Sequence, residues 1–249
     1  MGRARAILDP RVEGSAIMRT LFTAFLLTAA LLAPSGVRAA DAPAQTVSGI
    51  PLDAPWKATI YDFARQHFLH PAWGWQHSER DYRLAVDIAK GEGMKVDNDV
   101  LFAAAMLHDM AAYPPWEDNK REHGDVAAET SEAVLRAAGF PMEKFPAVQA
   151  AERGHMYYSK AATLPEAIAL HDADSVDFLG VMGATRIIAL TGEKKPDVQG
   201  AIKTLRSFIK DIPPQLVTKT AQKMGADRAI ELSRFLDALT SESYGGKAA

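Results

Sequence analysis

From residue 55 onward the apolar positions recur at intervals of three and four and never alternate for long, a pattern that predicts helices throughout. "PWKATIYDFARQHFL" opens on Pro55, whose fixed φ suits a first helical turn, and spaces Ile60, Phe63 and Phe68 along one side. The turn "HPAWGW" stops it. "HSERDYRLAVDIAKGEG" carries Tyr82, Ala85, Val86 and Ala89 at helical spacing and closes at Gly91 and Gly93. Asp97 to Asp99 cap "NDVLFAAAMLHDMA"; in "YPPWEDNKRE" adjacent prolines bar a helix, which resumes from Asp125 to Ala137. Further helices are expected over about 142–158, 165–190, 198–211 and 217–240. The class is therefore all-α, a single bundle of about seven or eight helices around one core. Its expected extent is 56–242, with a linker over 40–55 and a flexible tail over 243–249.

The first 39 residues break this pattern. "MRTLFTAFLLTAALLAPSGVRA" has one Arg ahead of an apolar run from Leu21 to Ala33, then a Pro-Ser-Gly break and small residues before Ala40. These are the parts of a secretory signal peptide, cleaved after Ala39, and the run is shorter than the roughly 20 apolar residues a membrane span needs. Met18 offers an alternative start to Met1. Removing residues 1–39 takes away five basic and two acidic residues, leaving 23 against 29, a net charge of −6. Such a chain has no basic excess for nucleic acid. It contains no cysteine, which excludes disulfides, thiolate metal sites and thiol nucleophiles, and leaves His, Asp and Glu as strong metal ligands. The export signal places the protein in a periplasm or outside the cell, with no stable membrane insertion after cleavage.

Within the apolar helices a few polar residues are conspicuous: His77 opens one helix, His108 and Asp109 end another, and Asp174 lies early in "LPEAIALHDADSVDFLGVMGATRIIAL". Charged groups are costly to bury unpaired, so these four invite a shared partner. Two imidazoles and two carboxylates from three helices suit a divalent ion in a bundle interior. Spacing alone leaves a second reading open, in which each is a hydrogen-bonded core residue.

The ordered set "WQHSERDYRLAVDIA", "AAMLHDMA", "EHGDVAAE", "GHMYYS" and "LHDADSVDFLGVMGATR" resembles the HD-domain superfamily of metal-dependent phosphohydrolases, over about residues 57–240. The HD pair alone is unspecific; the late segment with Gly180, Gly183 and Arg186 carries more of the likeness. The resemblance implies an all-α bundle and one divalent metal ion (Mn, Fe, Co, Ni, Zn or Mg) held by His77, His108, Asp109 and Asp174. It also implies hydrolysis of a small phosphate ester, nucleotide or pyrophosphate by activated water, which Asp109 helps to orient. Lys120, Arg121, His155 and Arg186 are the cations expected to bind the substrate's phosphate. His123 and His155 match positions where relatives carry histidines that touch phosphate or complete a second metal site. Many relatives place an acid three residues after the Asp of the pair, and here that position is Ala112. Glu117, Asp118 or Glu122 would have to supply the general acid or base, Glu122 being the nearest candidate to His123. The alternative is a catalytically degenerate HD domain that binds a metal or ligand.

Other polar and aromatic residues have plainer readings. His67 and His70 read as surface or capping residues, and His171 and Asp172 as at most an orienting pair. Asp177, one turn after Asp174, is suited to support a ligating His or Arg186. Trp116 either stacks on a base or anchors its own loop. "GADRAIELSRFLDAL" forms an amphipathic core face or a homodimer face.

Overall fold

The computed structural model describes residues 44–118, 120–193 and 196–245; the signal peptide, the alternative start at Met18 and the last four residues of the tail lie outside the described residues. Among these residues there are nine α-helices and no strand, with one isolated bridge between Gln45 and Pro51. We number the helices α1 (Pro55–His67), α2 (Trp75–Glu92), α3 (Asn98–Leu107), α4 (His123–Ala138), α5 (Phe145–Arg153), α6 (Pro165–Asp177), α7 (Gly180–Ala189), α8 (Val198–Asp211) and α9 (Lys219–Glu242).

The centre of the bundle is α3. Its N-terminus is fixed by Asp97, whose carboxylate accepts the Asp99 N–H at 2.9 Å. Every residue from Val100 to Leu107 is buried, because α1, α2, α5 and α6 pack around it. A ten-residue helix apolar on all sides can only be a core helix, and its small alanines at 103–105 let its neighbours approach closely. The most extensive helix contact is between α2 and α6, which run beside α3 and bring His77 and Asp174 toward its C-terminal end. The apolar residues form one main core that spans α1 to α9.

The helix expected over 165–190 is two helices. Leu179 is extended and Gly180 has φ +71°, a conformation that favours glycine, so α6 ends at Asp177 and α7 leaves at 69°. A Cβ on Gly183 would lie 2.1 Å from the Phe178 carbonyl oxygen, so the bend closes only around a residue without one. The segment expected as helix over 142–158 is shorter too, with α5 starting at Phe145 after a single 3-10 turn and ending before Gly154. Among the described residues, no single helix is long and apolar enough to cross a membrane.

Candidate metal centre

Each histidine of the inner cluster is aimed by a bond at its far nitrogen. His77, in the first turn of α2, sets Nδ1 2.9 Å from Asp177 Oδ2. Asp177 also receives Arg80 at 2.9 Å and Arg186 at 2.9 Å. Burial would raise the Asp177 carboxyl, but the Arg186 guanidinium and the His77 ring hold it well below the usual carboxylate range. His77 therefore donates from Nδ1 to a carboxylate and presents a lone pair at Nε2. His108 sets Nδ1 2.9 Å from the Ala105 carbonyl, and His155 sets its Nδ1 2.6 Å from the Glu152 carbonyl. A carbonyl only accepts, so these rings too present Nε2 as an acceptor.

The lone pairs meet carboxylates. His77 Nε2 lies 3.2 Å from Asp174 Oδ1, 3.5 Å from Asp109 Oδ2 and 3.1 Å from Asp81 Oδ2. His108 Nε2 lies 3.3 Å from Asp109 Oδ2 and 3.5 Å from Asp81 Oδ2. One donor atom from each of His77, Asp81, His108 and Asp174 falls within 4.8 Å of all the others. His77 Nε2, His108 Nε2, Asp174 Oδ2 and both Asp81 oxygens are buried without a hydrogen-bond partner. Orphaned polar atoms cost roughly 1–3 kcal/mol each, more when charged, so a cluster of them converging on one point needs a cation. The charge balance agrees. Burial disfavours an imidazolium, yet the carboxylates of Asp109, Asp81 and Asp174 push His108 up to about 10. Burial and the neighbouring Asp177 and Asp174 carboxylates push Asp81 up to about 7 against the pull of His77 and His108. The residues fit a divalent ion.

Outward of this cluster, Asp109 Oδ1 faces two further histidines, 3.4 Å from His123 Nε2 and 3.7 Å from His155 Nε2. Asp109 follows the last turn of α3 at φ −94°, ψ 9°, which turns its carboxylate out of the helix toward a pocket. The pocket is lined by Trp73, Asp109, Ala112, His123, Met156, Asp174 and Phe178. Asp109 and His123 are its partly exposed polar floor, at 12% and 13% exposure, whereas His77, His108 and His155 are buried.

Comparison with known proteins identifies the fold that carries this cluster. The family model "HD domain" matches residues 74–179. These residues are an HD domain. A predicted HD-superfamily hydrolase from an uncultured Thermotogales bacterium is 25% identical, with 74% of this chain and 90% of that one covered and a TM-score of 0.53. Two further solved structures share the fold. A Lactobacillus plantarum protein is 22% identical, covering 75% of this chain and 96% of that one, at TM-score 0.58. Bacillus subtilis YpgQ, solved in complex with ADP, is 19% identical, covering 75% and 97%, at TM-score 0.57. No protein of curated function matches the sequence. The chain thus has the fold of a metal-dependent hydrolase, with a His/Asp cluster at its centre.

Within this HD domain the structure separates the expected site residues into groups. His77, His108, Asp109 and Asp174 converge, with His123 and His155 beside them. Glu122 stands behind His123, its Oε1 3.6 Å from Nδ1 and 3.0 Å from the Tyr158 hydroxyl that donates to it. Three of the expected substrate-binding cations are elsewhere. Arg186 is buried, donating to Asp177 and to the Ala72 carbonyl, so it braces His77 from behind and does not face the pocket. Arg121 forms a two-pronged pair with Glu129 at 2.6 and 2.9 Å on the exposed side of α4, and Lys120 is exposed in the preceding loop. Glu117 and Asp118 are exposed too, and Ala112 contributes only a methyl group to the pocket wall.

Asp81 escapes the sequence reading, although its spacing of four from His77 puts both on one helix face. Glu152 is a second buried acid missed there; it accepts from the Ser131 hydroxyl at 2.8 Å, and burial pushes it up to about 8. Asp177 supports both His77 and Arg186. Asp172 binds the Val217 and Thr218 N–H groups at 2.8 Å, tying α6 to the start of α9. His70 Nδ1 accepts the Ala72 and Trp73 N–H groups in the α1–α2 turn, and Trp116 packs on Phe63, His67 and Phe68, anchoring its own loop.

Proposed function

We propose that the chain is an exported, metal-dependent phosphohydrolase that hydrolyses a small phosphate ester, nucleotide or pyrophosphate. The observation that carries the reading is the set of buried, partnerless His and Asp atoms converging directly beneath a pocket that Asp109 and His123 open to solvent. A divalent ion bound there by His77, His108, Asp109 and Asp174 supplies Lewis acidity, lowering the pKa of water and drawing negative charge from a phosphoryl oxygen. Asp109 Oδ1, facing the pocket, orients the attacking water by accepting one of its hydrogen bonds. His123 carries a proton at Nε2 to the leaving oxygen, with the Glu122 carboxylate at its Nδ1 stabilising the charged ring. This pair takes the place of the acid that relatives carry where this chain has Ala112.

The proposed location is a periplasm, supported by the leader-like residues 1–39 and the acidic, cysteine-free remainder. A nucleoside diphosphate heads the substrate candidates because YpgQ was solved with ADP. A second reading of the ion count has its own support. His123 and His155 face each other Nε2 to Nε2 at 2.9 Å, and burial lowers the pKa of the His155 ring. When neither ring carries a proton at Nε2, two lone pairs that close need a cation between them, and Asp109, His123 and His155 are the residues that would hold a second ion, supplying further Lewis acidity.

The test is metal analysis of the purified protein followed by phosphate release from a panel of monoesters, nucleotides and pyrophosphate with Mn, Co, Ni and Mg. Metal-dependent release from at least one member is expected. Protein that binds metal and releases no phosphate from any member is a binding module, and protein that binds no metal overturns the reading.

A further inference from the structure

The geometry points to Asp81 as a ligand of the inner ion, a fifth protein donor beside His77, His108, Asp109 and Asp174. The inference rests on the reading that this cluster holds a divalent ion, and it adds which class of ion the cluster selects.

Asp81 lies one turn after His77 on α2, so the two side chains leave the helix on the same face, a spacing suited to two ligands on one ion. Its side chain is fully buried, and neither carboxylate oxygen has a hydrogen-bond partner. Oδ2 sits 3.1 Å from His77 Nε2 and 3.5 Å from His108 Nε2. Neither contact is a hydrogen bond, since both Nε2 atoms and both Asp81 oxygens lack a partner, and a neutral ring keeps its one proton on Nδ1, for Asp177 and for the Ala105 carbonyl. A carboxylate oxygen that close to two lone pairs is repelled by both unless positive charge lies among them. A proton serves one pair of atoms. His77, Asp81, His108 and Asp174 offer four donors within 4.8 Å of one another, and only a multivalent centre serves them all. Donor atoms that share a small divalent ion are roughly 3 Å apart, close to the separations found here.

Three carboxylates and two imidazoles are a harder donor set than a histidine-rich zinc site, and five protein donors suit a six-coordinate ion with one position left for water or substrate. The ion class is therefore Mn2+, Fe2+ or Co2+ and not four-coordinate Zn2+. Asp81 also lets Asp109 turn one oxygen outward, because the inner ion does not depend on both.

The experiment uses the full chain, stripped of metal, as wild type, Asp81→Asn and Asp81→Val. Mn2+ affinity is measured by equilibrium dialysis, coordination by the visible absorption of the Co2+-loaded proteins, and folding by helical circular dichroism. Losing a residue that only positions a ligand costs roughly 10–100-fold in metal affinity, so both variants should lose more than about 100-fold. Cobalt absorption should strengthen in Asp81→Val as the coordination number falls. Should the valine variant fail to fold, Asp81→Asn, which keeps the shape and removes the charge, carries the same test. Unchanged Mn2+ affinity in the variants overturns the ligand role of Asp81 and leaves the wild-type metal site standing. Lost affinity with an unchanged cobalt spectrum also overturns it. Wild type that binds neither ion overturns this inference together with the reading beneath it.

Discussion

The two ends of α3 each gather three carboxylates and treat them in opposite ways. At the N-terminal end Lys144 Nζ lies 2.9 Å from Asp97 and 2.8 Å from Asp99, while Lys57 Nζ lies 3.0 Å from Asp99 and 2.7 Å from Asp53. The cluster is self-contained, each carboxylate meeting an ammonium, that of the buried Lys57 or of the partly exposed Lys144. At the C-terminal end Asp81, Asp109 and Asp174 surround two imidazoles, and no Lys or Arg among the described residues pairs with them. The arginines nearby, Arg80 and Arg186, are engaged by Asp177. The same residue types thus form a clamp where lysines complete them and an open cluster where no Lys or Arg among the described residues does.

The strongest way to break this contrast is to remove one carboxylate from the C-terminal end. Asp109→Ala should abolish bound metal and lower phosphate release at least about 1,000-fold, a loss of roughly 4 kcal/mol of transition-state stabilisation, in a steady-state assay with metal analysis alongside. A variant that keeps full metal and activity would show the C-terminal end to be misassigned. Adding metal at about 100 times its dissociation constant should stabilise the stripped protein by about 2.7 kcal/mol, seen as a rise in denaturation midpoint that a chelator reverses. No such rise is expected from the lysine end.

A pH series sharpens the comparison further. Glu152 folds with its carboxyl raised from 4.5 to about 8, so the folded state binds this proton more tightly than the unfolded chain does. Its contribution to stability is fully present below about pH 4.5 and is lost as pH rises toward 8. In metal-free protein Glu152→Gln, which mimics the protonated acid, should flatten that decline and gain on the order of 2 kcal/mol over wild type at pH 9, read from urea midpoints. Equal slopes for the two proteins would show that Glu152 ionises freely. The smallest effect belongs to the clamp. Lys144→Ala should cost no more than about 1 kcal/mol, diminish in high salt, and leave metal affinity unchanged.

How far the sequence discloses this molecule depends on whether a residue's role follows from its periodicity. The helices are legible because their apolar stripes are, and α3 is legible as a core helix because it is apolar all round. The break at Phe178 and Leu179 is hidden, since "VDFLGVMG" continues the apolar period straight through the bend and only the backbone at Gly180 reveals it. That break also misleads about Arg186, whose direction depends on the angle at which α7 leaves α6. His108 and Asp109 stand out as charges in an apolar run. Asp81 does not, because "SERDYR" looks like the solvated face of a helix until its neighbours close over it. Burial is a property of the assembled fold, and sequence spacing reports it only when the rest of the helix face is apolar.

Asp177 touches neither the pocket nor the point where the inner donors meet, yet it grips the His77 ring and is itself gripped by arginines from α2 and α7. The orientation of the His77 ring is consequently set by the protein's own hydrogen bonds. A cradle fixed in this way would spend little of an ion's binding energy on ordering its ligands.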